Sequence, residues 1–289
     1  LGCSTAYIIC PGNWSASAID FHARAVVSMC VHNAHYNCLA AQNIVTCASW
    51  PQRETFMDAI RRHLSAAQTR SPYYPGADTR LKEFAGKCKD GKNVFRSDCG
   101  SQDDLPWTVI ANAAPDDAST THTCCNEAWT CVLTEIAVPS KTPKAFLTEA
   151  VEFCNDRCWG TLSCAIFIPP DLEAAEPRAC KAAVAALKYG SVVVNAPTGL
   201  AYFVTSASWG GYIGHTPQDI QSGIGQVHNT LLYADVEKSV IRAPWNSPVT
   251  PMWFHDNVNH EQLANAVIDF QTEPNMVDFT KVALAAVQG

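Results

Sequence analysis

The residue best suited to covalent chemistry in this sequence is Cys38, which lies in a short polar stretch a few positions after His32 and His35. A helix-like apolar run, residues 19–29, precedes this stretch, and a β-prone run, residues 43–47, follows it. The pattern predicts that Cys38 lies in a helix-to-strand turn, where a thiol can face a cleft and backbone N–H groups or a nearby cation can favour its thiolate. The alternative is that Cys38 is a small buried residue, as free cysteines usually are.

The chain has fourteen cysteines, a count that would suggest disulfides in a short secreted protein. Several of them follow apolar patterns instead. One such pattern, the stripe of a core-facing helix, contains Leu147, Val151, Cys154 and Cys158. We therefore expect most of the cysteines to be reduced core residues.

Two metal-site alternatives can be drawn from the sequence. A zinc site could use Cys124, Cys125, Cys154 and Cys158, but these residues do not form two Cys-x-x-Cys pairs at finger-like spacing. His255 and His260 could form a ligand pair, although a polar loop before a helix explains them as well. We therefore predict no metal site.

The elements that would position Cys38 alternate between strand and helix. We expect strands at residues 5–10, 43–47, 161–168 and 191–195, helices after Ser15 and Pro51 and at 143–158 and 174–187, and a strand-turn-strand region from residue 107 to 136. Such alternation predicts an α/β fold with a layered parallel sheet flanked by helices. The segment 71–106 is the least regular, and it is either an insertion that shapes a substrate entrance or a surface excursion without a role. Residues from 244 onward predict a loop and two helices.

Composition limits the partners of the chain. It has 289 residues, 47% of them hydrophobic, and a net charge of −7 without a basic block to offset it. This balance argues against a nucleic-acid or acidic-membrane partner. No apolar run approaches the roughly 20 residues needed to span a bilayer. Reduced core cysteines are typical of cytosolic proteins, so a cytoplasmic location is expected.

Four segments occur in the same order as motifs of one enzyme family. The Leu-Gly pair at residues 1–2 leads into a strand, a helix and the Cys38 turn. Residues 126–132 resemble a Glu-Ile-Phe-Gly-Pro motif, residues 189–195 a Gly-x-Val-x-Val-Asn strand, and residues 209–212 an aromatic-Gly-Gly-aromatic turn. As an ordered set over residues 1–242, they resemble the aldehyde dehydrogenase superfamily.

The resemblance implies an organisation for the chain. Residues 1–215 would form the catalytic domain, with residues 71–106 as an insertion. Residues 216–243 would contain a strand that adds to the sheet of a neighbouring subunit, so a homo-oligomer is expected. Residues 244–289 would be a helical extension. The family's N-terminal cofactor-binding half has no counterpart here, so the chain is expected to be a fragment.

The resemblance also implies a reaction, the oxidation of an aldehyde to a carboxylate with NAD or NADP. Cys38 would be the nucleophile, forming a thiohemiacetal and then a thioester, while Glu127 and Trp129 would contact the cofactor. The glutamate that activates water in the family would precede Leu1, so the fragment alone is expected to be inactive as a dehydrogenase.

Two departures from the family pattern favour another reading. Thr130 and Cys131 replace a Gly-Pro pair, and residues 35–37 replace the usual Gly-Gln-x before the cysteine. The alternative function is therefore a non-catalytic, aldehyde dehydrogenase-like subunit with a role in assembly.

Overall fold

The computed structural model describes residues 2–88 and 93–288. Leu1, where the family resemblance begins, and residues 89–92 of the irregular segment lie outside the described residues. The chain divides into two compact units, Leu1–Trp245 and Asn246–Gly289.

The first unit contains an eight-stranded sheet and a separate two-stranded ribbon. The strands are β1 (Ala6–Ile9), β2 (Asn43–Cys47), β3 (Val94–Arg96), β4 (Thr108–Ala113), β5 (Val132–Val138), β6 (Ser163–Phe167), β7 (Ser191–Val194), β8 (Trp209–Gly210), β9 (Gln226–Val227) and β10 (Ser239–Arg242). The large sheet has the order β10-β7-β6-β1-β2-β5-β4-β3, and β8 pairs with β9. All pairs in the large sheet are parallel except β3 with β4, and strands β1, β2, β5, β6 and β7 are buried along their whole length. The predicted α/β class is therefore confirmed.

The helices of the first unit are α1 (Ala16–Val31), α2 (Arg53–Ala66), α3 (Ala77–Gly86), α4 (Ala118–Cys125), α5 (Pro143–Arg157), α6 (Pro170–Ala175), α7 (Pro177–Ala186) and α8 (Gly199–Phe203). The Ser15 hydroxyl caps α1 by accepting a hydrogen bond from the Ala18 amide. The cysteine-containing stripe of α5 is buried as the sequence predicts. All fourteen cysteines are free thiols, and most are buried.

The strand-turn-strand prediction for residues 107–136 is wrong in its middle part, which forms α4. Thr120 and Thr123, whose type favours strands, lie on this helix and are buried. The Thr120 hydroxyl donates to the Ala114 carbonyl at 2.7 Å, and the Thr123 hydroxyl donates to Asn43 Oδ1 at 2.9 Å. Tertiary contacts thus stabilise a helix that local propensity does not favour.

The helix predicted for residues 174–187 is present over most of its length as α7, but it is interrupted near its start. Two helices, α6 and α7, meet at Glu176, whose backbone angles (φ −131°, ψ 53°) are not helical. Pro177 follows and begins α7. Because proline has no N–H and its ring clashes inside a helix, it is accommodated in a first turn instead.

The segment 71–106 is more regular than expected. It contains α3 and β3, and β3 extends the sheet as its antiparallel edge strand. The expectation of a surface excursion therefore does not fit this part of the segment.

The second unit contains the helices α9 (His260–Thr272) and α10 (Met276–Val287), as predicted for the C-terminal residues. The Asn259 side chain donates to the Ala285 carbonyl at 2.8 Å, which ties the start of α9 to the end of α10. His260 contacts the Asn257 carbonyl oxygen through Nδ1 at 2.9 Å, as expected for a polar loop that leads into a helix. No helix in the described residues is long and apolar enough to cross a bilayer.

Candidate functional site

The candidate site lies at the amino ends of three neighbouring strands. The turn of Cys38 leads into β2, the segment of Glu127 leads into β5, and residues 2–5 lead into β1. Because β1, β2 and β5 are adjacent and parallel, these three segments meet at one edge of the sheet. The topology therefore brings together Cys3 and Glu127, which are 124 positions apart in sequence.

The turn of Cys38 follows a tight reversal of the chain at the end of α1. Asn33, Ala34 and His35 all have positive φ, at 53°, 52° and 72°. Three successive left-handed residues without a glycine are strained and persist only where surrounding contacts hold them. The Ala41 amide, which donates to the Met29 carbonyl at 3.3 Å, closes this reversal.

Cys38 itself is partly exposed, in contrast to most cysteines of the chain. Burial raises the pKa of its thiol, its own backbone N–H opposes this effect, and the negative charge of Glu127 raises the pKa further. Burial and the Glu127 charge together disfavour the thiolate form. The Cys38 N–H lowers this pKa and has no hydrogen-bond acceptor among the described residues.

His35 does not act on Cys38 as a nearby cation. Its Nδ1 lies 3.2 Å from the Cys30 carbonyl oxygen and 3.6 Å from the Cys30 sulfur. Burial lowers the pKa of His35 to about 4, an effect that the Cys30 carbonyl offsets only in part. A neutral imidazole directed at Cys30 cannot lower the pKa of Cys38, so the expectation of an activating cation is not met by this residue.

Glu127 contacts the strand that precedes β1. Its Oε1 accepts a hydrogen bond from the Cys3 amide at 3.1 Å. Its carboxylate lies against Gly2, where an added Cβ would be only 2.0 Å from Oε2. A larger residue at this position would displace the Glu127 carboxylate, and Oε2 has no hydrogen-bond partner among the described residues. One oxygen of this half-buried carboxylate remains available to a donor.

Gln42 fixes the backbone on both sides of Glu127. Its Oε1 accepts from the Ala128 amide at 2.8 Å, and its Nε2 donates to the Asn126 carbonyl at 2.7 Å and to the Thr123 carbonyl at 2.6 Å. Gln42 is buried and lies four residues after Cys38. One side chain thus joins the turn of the thiol to the segment of the carboxylate.

Trp129 belongs to a cluster of aromatic rings between the two segments. Its ring centroid lies 4.9 Å from that of Tyr74 and 6.2 Å from that of Tyr36, and Tyr36 lies 4.6 Å from Tyr73. Trp129 has a positive φ of 43°, and Arg80 holds this backbone by donating to the Trp129 carbonyl at 2.8 Å. Tyr73 and Tyr74 come from the segment 71–106, which therefore contributes side chains next to the site. That they shape a substrate entrance stays a prediction.

The strand and turn motifs at residues 189–195 and 209–212 also meet. A Cβ added to Gly190 would lie 1.9 Å from the Gly210 carbonyl oxygen. The two backbones can approach this closely only because Gly190 has no side chain.

The cysteines of the zinc alternative do not form a ligand set. Cys124 and Cys158 have their sulfur atoms 3.7 Å apart, whereas Cys125 is exposed. Among the described residues, no three of Cys124, Cys125, Cys154 and Cys158 have sulfur atoms within 4.8 Å of one another. The structure thus gives no support to a zinc site here.

Sequence reasoning missed the residues that hold the site together. The side chains of these residues form hydrogen bonds to backbone groups distant in sequence, and the residues are Gln42, Arg80, Tyr7 and Thr198. No local pattern marks such contacts. The signal that the sequence offers is an amide side chain close to the candidate nucleophile, as Gln42 is to Cys38.

Comparison with protein-family models gives no match, and no curated protein matches the sequence. Comparison with solved structures does. An NADP-dependent glyceraldehyde-3-phosphate dehydrogenase from Bacillus halodurans C-125, complexed with NADP, has a TM-score of 0.59 and 16% identity over 79% of this chain and 43% of that chain. A salicylaldehyde dehydrogenase from Pseudomonas putida G7, complexed with salicylaldehyde, has a TM-score of 0.57 and 16% identity over 78% and 43%.

Aldehyde dehydrogenase 21 from Physcomitrella patens, in complex with the reaction product succinate, has a TM-score of 0.56 and 14% identity over 81% of this chain and 48% of that chain. The chain therefore has the fold found in these aldehyde dehydrogenases, and it spans less than half of their length. The family resemblance seen in the motifs is confirmed at the level of the fold.

Proposed function

We propose that Cys38 is the nucleophile of an aldehyde-oxidising site. The observation that carries the proposal is the position of this partly exposed thiol, whose own backbone N–H has no acceptor among the described residues and which has the Glu127 carboxylate as a neighbour. The shared fold supports the same reaction class. Aldehyde oxidation of this kind requires a thiol that can reach a carbonyl carbon and a donor that can stabilise the resulting oxyanion.

In the proposed first step, the Cys38 sulfur attacks the carbonyl carbon of the aldehyde. A carbon–sulfur bond forms, the carbonyl π electrons move to the oxygen, and the thiol proton leaves to solvent. The Cys38 N–H is the donor in this chain for the oxyanion, and in the family an asparagine amide would be a second donor. The product on the protein is a thiohemiacetal.

NAD or NADP would supply the hydride acceptor when it is bound. The residues that fit such a group are Glu127 and Trp129. Glu127 Oε2 has no partner among the described residues and can accept a hydrogen bond from a ribose hydroxyl. Trp129 contributes an aromatic face in the same segment. These two residues are the contribution to a dinucleotide site that we propose for this chain.

The thioester left on Cys38 after oxidation would be hydrolysed by water. Hydroxide adds to the thioester carbonyl, the carbon–sulfur bond breaks, and the sulfur regains a proton. The resemblance assigns the base for this step to a glutamate directly before the Leu1–Gly2 pair.

A non-catalytic subunit is the second candidate function, and the raised pKa of Cys38 favours it. Such a subunit would act in assembly.

Strand β10 pairs with β7 of its own chain and leaves the other edge of β10 at the border of the sheet. Because an uncovered edge can pair with another chain, we propose a homo-oligomer. A purely monomeric chain in light scattering would remove this part of the proposal.

A carbon-13 NMR experiment separates the two functions. We would mix the full 289-residue chain with [1-¹³C]acetaldehyde and compare it with the Cys38→Ser and Cys125→Ser variants. The nucleophile proposal predicts a tetrahedral thiohemiacetal resonance that Cys38→Ser abolishes and Cys125→Ser retains. A resonance that survives Cys38→Ser and disappears in Cys125→Ser would refute it.

A further inference from the structure

Two buried hydroxyl groups lie behind the turn of Cys38. Tyr7, on β1, and Thr198, four residues after β7, are both fully buried. The Thr198 hydroxyl donates to the Leu39 carbonyl at 2.9 Å. The Tyr7 hydroxyl lies 2.8 Å from the Thr198 hydroxyl and accepts from the Thr198 amide at 3.0 Å. Together these bonds connect β1, the segment after β7 and the residue next to Cys38.

The protons of this network can be arranged in one way only. A carbonyl oxygen cannot donate, so the hydroxyl proton of Thr198 points to Leu39. The Thr198 oxygen must then accept the Tyr7 proton, and the Tyr7 oxygen accepts from the Thr198 amide. Burial raises the pKa of Tyr7, so the phenol keeps the proton that it donates.

The network restrains the peptide groups of the turn. The carbonyls of residues 37–39 accept hydrogen bonds from the Ala40 amide at 3.1 Å, the Thr5 hydroxyl at 3.3 Å and the Thr198 hydroxyl at 2.9 Å, in that order. Because each peptide unit is planar, fixing these carbonyls also fixes the direction of the amides bonded to them. The Cys38 N–H belongs to the same peptide unit as the Asn37 carbonyl, so the Ala40 amide that donates to this carbonyl also holds the direction of the Cys38 N–H.

Satisfying the Leu39 carbonyl does not by itself require this arrangement. Leu39 is only half-buried, so water could hydrate its carbonyl at little cost. The hydroxyl groups of Tyr7 and Thr198 form one buried chain of hydrogen bonds that ends at this carbonyl. Such an arrangement is therefore better explained by a need to fix the direction of the carbonyl.

We propose that Thr198, oriented by Tyr7, is a positioning residue for the Cys38 nucleophile. Thr198 fixes the Leu39–Ala40 peptide, whose N–H donates to the Asn37 carbonyl, and through this bond it keeps the Cys38 N–H of the Asn37–Cys38 peptide directed at the oxyanion that forms when the sulfur attacks a carbonyl. The inference rests on the proposed function of Cys38 and adds to it a residue 160 positions away.

Two reactions of the same thiol test this inference. Acylation by 4-nitrophenyl acetate forms the Cys38–acetyl bond, releases nitrophenolate and passes through an oxyanion. Alkylation by iodoacetamide displaces iodide and forms no oxyanion. Loss of positioning should therefore slow acylation selectively, whereas general damage to the turn should change both reactions.

The variants are Thr198→Val, Thr198→Ser and Tyr7→Phe in the full chain. Thr198→Val should slow Cys38 acylation at least about tenfold, which is a smaller effect than the loss of a whole oxyanion donor. Alkylation, measured at a pH well above the pKa of Cys38, should stay nearly unchanged. Thr198→Ser keeps the hydroxyl and should restore acylation to within about threefold of wild type. Tyr7→Phe, which removes only the orienting proton, should give an intermediate loss.

Thr120→Val is the matched control, since it also removes a buried hydroxyl that donates to a carbonyl, at 2.7 Å, but on α4. It should change neither reaction. Equal slowing of acylation and alkylation in Thr198→Val, or acylation at the wild-type rate in this variant, would overturn the positioning role alone. If wild-type Cys38 is alkylated but never acylated, the proposed function fails and the positioning role fails with it.

Discussion

The side-chain oxygen of Gln42 accepts a hydrogen bond of 2.8 Å from the backbone amide of Ala128. Because Gln42 follows the turn of Cys38 and Ala128 follows Glu127, this bond fixes the thiol and the carboxylate relative to one another. The Asn126 carbonyl, on the other side of Glu127 in the sequence, accepts a hydrogen bond from Nε2 of the same glutamine. The geometry of the site therefore depends on one buried amide.

Replacing Gln42 with alanine should destabilise the protein and separate the two segments. It leaves the Ala128 amide and two carbonyls without partners, and each unsatisfied buried group costs about 1–3 kcal/mol. We expect a loss of at least about 2 kcal/mol in urea unfolding and a lower pKa of Cys38, because Glu127 is no longer held near it. Gln52→Ala is the control, since Gln52 brackets Trp14 in the same way, with bonds of 2.8 and 2.7 Å. A shift of the Cys38 pKa that is equal in both variants would contradict this prediction.

Glu127→Gln should lower the pKa of Cys38. The carboxylate charge raises this pKa, so a neutral amide of similar size should shift the pH profile of Cys38 alkylation to lower pH. Alkylation at pH 7 should become faster, and peptide mass spectrometry after iodoacetamide treatment can follow it at this one residue. Glu152→Gln, an exposed position on α5, should leave the profile unchanged. A profile that moves to higher pH in Glu127→Gln would show that the charge does not act as described.

The protein should lose stability as the pH falls below neutrality, partly through His22. Its ring is buried against Phe167 and Trp245, with centroids at 4.7 and 4.1 Å, and burial lowers its pKa from 6.5 to about 3. Between these pH values His22 binds a proton in the unfolded chain but not in the folded chain. Its contribution to the free energy of unfolding is therefore complete above pH 6.5 and is lost as the pH falls toward 3.

The His22→Phe variant isolates this contribution. Each pKa unit corresponds to about 1.4 kcal/mol, so the free energy of unfolding should depend less on pH between 6.5 and 3 in His22→Phe than in wild type, by a few kcal/mol. His228→Phe, at a half-buried histidine, is the control. Equal pH dependence in wild type and His22→Phe, measured by urea unfolding, would refute the assignment.

The elements with strong patterns could be predicted from the sequence, and those that depend on distant contacts could not. The α5 stripe and the β7 run of valines are buried as their spacing indicates. Helix α4 lies in a region predicted as strand-turn-strand, because its stabilising partners, such as Asn43, lie far away in sequence. For the same reason Cys38 and Glu127 could be nominated as site residues, whereas Gln42 and Thr198 could not.

The 289-residue chain alone should not reduce NAD or NADP with any aldehyde. It spans only 43% of the NADP-bound structure to which it is similar, and Glu127 and Trp129 are the contacts that we propose for it. Absorbance of the reduced nicotinamide should stay at baseline with a panel of aldehydes. Turnover on the order of 1 per second, as is typical of enzymes, would show that the chain holds a complete dinucleotide site.

The most direct test of Cys38 as the nucleophile is the location of the first acyl group that the protein accepts. After brief exposure to 4-nitrophenyl acetate at about pH 8, peptide mass spectrometry should find one acetyl group on the peptide of Cys38. The more exposed Cys99 and Cys125 should be modified later, the Cys38→Ala variant should lose the rapid acetylation, and Cys125→Ala should keep it. Rapid acetylation that persists in Cys38→Ala, or that occurs first on Cys99 or Cys125, would contradict the account.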